Sequence, residues 1–129
     1  METIMVQEAD AATLDVVATA LQMEGYRVCS LDDTNENALE MIRRHHPKLV
    51  LLDCWLSHNS AGQVSQWIKA HFPHLPVIAF SCDNQIEAKY RQFGFDDYIQ
   101  KPFELHKLYQ VIRKYLPQRH KRRETAGHV

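Results

Sequence analysis

The run Leu49-Val50-Leu51-Leu52, closed by Asp53, constrains the fold of this 129-residue chain more than any other segment. Consecutive apolar residues bounded by polar ones fit a strand covered on both faces, as in a parallel sheet lined by helices; a half-solvated strand would alternate. Open α/β sheets gather ligands beyond the carboxyl ends of their strands. The carboxylate of Asp53 therefore stands where chemistry is expected. Glu8 after residues 3–6, Ser81 after 77–80 and Lys101 after 98–99 hold comparable positions. Two acids, a hydroxyl and a lysine on strand ends form a set suited to phosphoryl chemistry.

The alternation of strand and helix signals repeats five times. After strand 3–6, Asp10 caps a helix carrying Leu14, Val17, Ala18 and Leu21 on one face, and Gly25 closes it. Strand 26–30 leads to a helix starting at Asp33 or Thr34, with Ala38, Met41, Ile42 and His45 inward, stopped by Pro47. Beyond the polar loop 57–62, the spacing predicts a third helix from about Gln63 with Val64, Trp67, Ile68 and His71 in register. Strand 77–80 precedes a fourth helix holding Ile86, Tyr90 and Phe93 and ended by Gly94. The last strand, 98–99, is followed by a helix over 104–116 with Leu105, Leu108, Ile112 and Tyr115 at helical spacing. Such repeated units imply right-handed crossovers and a five-stranded parallel sheet with helices on both faces. Residues 1–117 read as one domain. Residues 118–129 lose the periodicity and read as a basic tail or linker stub.

Composition excludes several function classes. No apolar run approaches the roughly 20 residues of a membrane span, and residues 1–6 are too short for a signal-peptide core, so a cytoplasmic protein is expected. Cys29, Cys54 and Cys82 form no CxxC pair, which sets aside a disulfide framework and a zinc site. They are expected as reduced thiols packed like small apolar residues, Cys82 beside Ser81 among them. The histidines, including His45, His46, His58, His71 and His74, show no spaced ligand set and read as surface residues. From Lys101 onward eight Lys or Arg face two acids, Glu104 and Glu124. The run 119–123 lacks aromatic residues or a binding motif, and a solvated linker is preferred over contact with nucleic acid.

The pieces IMVQEAD, PKLVLLD, LPVIAFSC and DDYIQKPF, with GYRV before the second helix, resemble the receiver domain of bacterial two-component response regulators. The resemblance covers about residues 3–117 and rests on the order and spacing of the pieces together. It implies a flavodoxin-like doubly wound (βα)5 fold with strand order 2-1-3-4-5. It also implies a phosphoacceptor signalling domain rather than an enzyme, phosphorylated on Asp53 by a histidine kinase or phosphotransfer protein with Mg2+. Glu8, Asp53 and the backbone carbonyl of Trp55 match the family's metal ligands, with Gln7 reaching the ion through water. Ser81 and Lys101 match the groups that contact the phosphoryl oxygens. Tyr98 matches the aromatic whose rotamer accompanies switching. Helix four, strand five and helix five match the output face, where an output partner or a homodimer would dock. The bond before Pro102 is commonly cis in the family. The chemistry accounts independently for these residue types: displacement at phosphorus needs an anionic nucleophile, a cation and donors for the equatorial oxygens.

Three departures stand out. Gln7 replaces one of two acids that receivers carry after the first strand, which predicts weaker Mg2+ binding. Ser57 and Ala61 stand where the family has proline and glycine, with Gly62 one residue late. Trp55 is bulky for a position beside the phosphoryl group and is expected to slow self-dephosphorylation. Gln7 and the loop leave open a pseudo-receiver, the same fold binding a protein without phosphorylation. A small hydrolase using Asp53 as nucleophile would need a second acid nearby, and positions 54–56 are Cys, Trp and Leu.

Overall fold

The computed structural model of the protein describes residues 1–31, 38–54 and 60–117. Among these, strands and helices alternate as β1 (Thr3–Gln7), α1 (Ala11–Met23), β2 (Arg27–Ser30), α2 (Ala38–His45) and β3 (Leu49–Asp53). They continue as α3 (Ser60–His71), β4 (Val77–Ser81), α4 (Ile86–Lys89), β5 (Asp97–Gln100) and α5 (Leu105–Tyr115). The strands form one parallel sheet in the order β2-β1-β3-β4-β5, a flavodoxin-like α/β fold.

Each central strand feeds two cores. Ile4 and Val6, Leu49 and Leu51, Ile78 and Phe80 pack on the side of α1 and α5 with Val17, Leu21, Leu108 and Ile112. Met5, Val50, Leu52, Val77 and Ala79 pack on the opposite side with Ala38, Ile42, Val64, Ile68 and Ile86. Side chains alternate across a strand, so a strand covered on both faces must be apolar throughout, and residues 49–52 are all fully buried.

Asp10 caps α1, accepting from the Thr13 amide at 2.9 Å and the Thr13 hydroxyl at 2.6 Å. Gly25 follows the α1 C-cap at φ 94°, where a Cβ would strain the chain. The Lys101–Pro102 bond is cis.

Several expectations need correction. His45 is exposed: the buried stripe of α2 is Ala38 and Ile42, and the chain turns away at His46 with φ 50°. The third helix begins at Ser60, three residues before Gln63. Its inward face carries Val64 and Ile68 in the apolar core and Ser65, whose Oγ donates to the Gly94 carbonyl at 2.7 Å. Trp67 consequently lies 48% exposed on the flank, and His71 is exposed, its Nδ1 2.9 Å from the Trp67 carbonyl. The fourth helix shrinks to four residues, with turns carrying Tyr90 and Phe93 to Gly94 at φ 90°. Leu105 opens α5 at 44% exposure, although Leu108 and Ile112 face inward as expected. Cys82 is exposed rather than packed, because it follows the end of β4 where neither helix layer covers the chain, whereas Cys54 is buried. The proposed start of the second helix at Asp33 or Thr34, the loop residue Ser57 with its neighbours His58 and Trp55, and the tail 118–129 lie outside the described residues.

Candidate functional site

The parallel register delivers the site residues to one end of the sheet. Gln7 at the end of β1 pairs with Leu52, which puts Glu8 beside Asp53. Asp53 pairs with Phe80, and Ser81 with Gln100, which brings Ser81 and Lys101 to the same edge. The Lys101 amide donates to the Ser81 carbonyl at 2.7 Å and ties the last strand end to its neighbour.

Lys101 joins the carboxylates. Its Nζ lies 2.6 Å from Glu8 Oε1 and 3.1 Å from Asp53 Oδ1. The three side chains are largely shielded, at 3% exposure for Glu8 and 12% each for Asp53 and Lys101. Burial disfavours the ammonium, but the hydrogen bonds it donates to Glu8 and Asp53, and their charges, outweigh this and hold the Lys101 pKa above its ordinary value. The Phe80 ring lies 4.8 Å from the same nitrogen, and Phe103 packs on Phe80 at 5.2 Å between centroids. Backbone donors complete the acids: the Asp10 amide reaches Glu8 Oε2 at 2.9 Å, and the Ala9 amide approaches Asp53 Oδ2 at 3.5 Å.

Ser81 is fully buried, and its Oγ accepts the Asp83 amide at 3.0 Å, which turns it toward the β4–α4 loop. Tyr98, half-buried on β5, lies against Tyr90 at 5.1 Å between ring centroids. Burial, then a side-chain hydrogen bond with Glu87, raises its pKa. Directly after Asp53, burial and the Asp53 charge push the Cys54 thiol up to about 11, so it stays protonated at neutral pH.

Asp53, Glu8 and Lys101 open into a cleft of about 620 Å3 whose far wall is apolar, with Val16, Phe103 and Leu105. The sequence signalled the polar floor of this cleft but not its wall: Val16 lies outside the expected stripe of α1, and Leu105, expected on the inward stripe of α5, is turned outward at the start of that helix. Phe80 carried a signal only as a core residue.

The donor set fits a hard divalent ion. Both carboxylates already reach one cationic nitrogen, and Mg2+ needs only one or two carboxylates besides water and phosphate oxygens. Among the described residues no three His, Cys, Asp or Glu side chains gather as a metal-binding group. No described helix is long and apolar enough to cross a membrane.

A family profile described as the response regulator receiver domain matches residues 4–113. The polar-differentiation response regulator DivK of Brucella ovis is 29% identical over 120 residues, covering 89% of this chain and 96% of DivK. The crystallised receiver domain of NtrX from Brucella abortus superposes with a TM-score of 0.77 at 31% identity, covering 88% of this chain and 97% of that one. Against the longer NtrX chain the match covers 98% of this chain but only 29% of NtrX, with a TM-score of 0.78 and 29% identity. TrrA of Thermotoga maritima, solved in complex with Mg2+ and BeF, superposes with a TM-score of 0.77 over 90% of this chain and 100% of its own. At 22% identity it speaks for the fold alone.

Proposed function

Because this chain belongs to the response regulator receiver domain family, modules of two-component signalling that accept phosphoryl groups rather than catalyse turnover, we propose that Asp53 is its phosphoacceptor. The observation that carries this proposal is the convergence of Glu8, Asp53 and Lys101 at the carboxyl edge of the sheet, with Ser81 on the next strand end. A phosphohistidine of a histidine kinase or phosphotransfer protein presents its phosphorus to an Asp53 oxygen. The phosphorus–oxygen bond forms as the phosphorus–nitrogen bond breaks, and the imidazole leaves. Glu8 and Asp53, with the Trp55 carbonyl and Gln7 through water, would hold Mg2+, which supplies positive charge against the phosphoryl oxygens. Lys101 contributes its ammonium to one such oxygen, and Ser81 its hydroxyl to another.

To reach the phosphoryl group, Ser81 gives up the Asp83 amide, and Tyr98 moves into the space released. That movement changes the surface of α4, β5 and α5, which meets an output partner or a second copy. The change is a population shift limited by how differently the phosphoryl group interacts with the two states. Residues 1–117 are the receiver and 118–129 a basic tail, in a protein working in the cytoplasm. Gln7 favours one alternative, a pseudo-receiver that binds its partner without phosphorylation.

The test incubates wild type and Asp53→Asn with Mg2+ and acetyl phosphate and reads intact mass. The expected outcome is one added phosphoryl group on wild type alone. No added mass on either protein across high donor concentrations favours the pseudo-receiver.

A further inference from the structure

Lys101 and Asp53 belong to the ends of strands that are not neighbours. In the order β3-β4-β5 the lysine has to cross β4 to reach the carboxylate, a span of about 10 Å at two ordinary strand spacings. The residue in its path is Phe80, which pairs with Asp53 on one side and with Ile99 on the other. Phe80 and Ile99 share the core on the α1–α5 side, so the lysine runs over the Phe80 ring, while Ser81, next along β4, points to the opposite face.

That ring is held in place. Phe80 is fully buried, and Phe103 packs edge-on against it at 5.2 Å between centroids, with 62° between the ring planes. Lys101 Nζ lies 4.8 Å from the Phe80 centroid. An ammonium has three donors, and Glu8 Oε1 and Asp53 Oδ1 accept from it. At 12% exposure the lysine side chain meets little water. An aromatic face attracts such a desolvated cation through its quadrupole, whereas an aliphatic side chain at position 80 would offer the charge nothing. The attraction has no single acceptor atom. It fixes the nitrogen over β4 while leaving its N–H groups free to turn toward a new oxygen.

We propose that Phe80 is the positioning residue for Lys101: its ring supports the ammonium across β4 and keeps it beside Asp53, where the phosphoryl oxygens arrive. The part played in phosphoryl acceptance rests on the phosphoacceptor proposal. The seating of the ammonium does not, and is measured without a phosphodonor.

The full chain is compared as wild type, Phe80→Leu and Ile112→Val, the last a loss of packing in the same core without loss of a ring. NMR of the lysine ammonium groups is run on metal-free protein. The wild-type Lys101 signal is expected to be displaced upfield by the ring. In Phe80→Leu it returns toward the other lysines, and its protons exchange with water about threefold faster or more. With acetyl phosphate at saturating Mg2+, phosphorylation of Phe80→Leu is expected to slow by about three- to tenfold, and that of Ile112→Val to stay within about twofold of wild type. A wild-type Lys101 signal without upfield displacement overturns the proposal, and decides the matter if Phe80→Leu does not fold. Unchanged exchange or an unchanged phosphorylation rate in a folded Phe80→Leu also overturns it, as does equal slowing in Ile112→Val. A wild type that takes no phosphoryl group, with the ammonium signals as expected, would count against the phosphoacceptor proposal alone.

Discussion

At the residue scale, Gln7 and Lys101 set the charge of the site. The formal charges of Glu8, Asp53 and the Lys101 that bridges them sum to one negative. An acid at position 7 would add a second. Gln7→Asp is therefore expected to tighten Mg2+ binding by about tenfold, or roughly 1.4 kcal/mol. Calorimetric titration without phosphodonor checks this, and an unchanged constant would mean that position 7 does not face the ion. Ser81 illustrates a different constraint. Fully buried and bonded to the Asp83 amide, its hydroxyl satisfies a donor that alanine would leave unpaired.

At the element scale, β5 is held by acids at its amino end. Asp96 accepts Lys69 Nζ at 3.0 Å and the Val77 amide at 2.8 Å, joining β5 to α3 and β4. Asp97 accepts Lys114 Nζ at 2.9 Å and the Tyr115 hydroxyl at 3.1 Å, joining β5 to α5. Burial and the charge of Asp97 push the Tyr115 phenol up to about 12. The folded state therefore keeps this proton to higher pH than the unfolded chain, whose phenol titrates near 10. Above that pH the unfolded state binds fewer protons, so the neutral phenol's share of stability is present at low pH and lost between about 10 and 12. Cys54 acts with the same sign between about 9 and 11. The urea midpoint is expected to fall as pH rises from 9 to 12, and Tyr115→Phe to flatten the upper part of that fall. An identical slope in the variant would remove Tyr115 from the account.

At the scale of the whole molecule, the two cores make the sheet a stiff partition between the α1–α5 layer and the opposite layer. Ser81 ends β4 at the site, while Tyr98 lies one strand away among the residues packed with α3 and α4. Densely packed interiors transmit a local displacement by repacking rather than by gradual deformation. Beryllofluoride with Mg2+ is therefore expected to move the amide signals of residues 86–90 and of Tyr98 as well as those near Asp53. In Ser81→Ala the change should stay near Asp53. Equal spread in both proteins would show that coupling bypasses Ser81.

Much of this architecture was legible in the amino-acid order, since a strand buried on two faces has to be apolar at every position. That requirement exposed β3, and the alternation of units around it led to the parallel sheet and the strand ends carrying Glu8, Asp53, Ser81 and Lys101. Local chemistry also marked the Asp10 cap and the Gly25 turn. Which face of a short helix turns inward was a different matter. Trp67 and His71 kept the spacing of an inward stripe, yet α3 buries Val64, Ile68 and Ser65, the last bonded to the Gly94 carbonyl 29 residues away. Exposure of Cys82 and the apolar cleft wall of Val16 and Leu105 likewise depended on where neighbouring layers end. Closest to function, the sequence placed Lys101 and Glu8 at the same edge of the sheet. That they meet at 2.6 Å, 93 residues apart, was settled only by register and packing, because a contact between distant segments depends on every element that positions them.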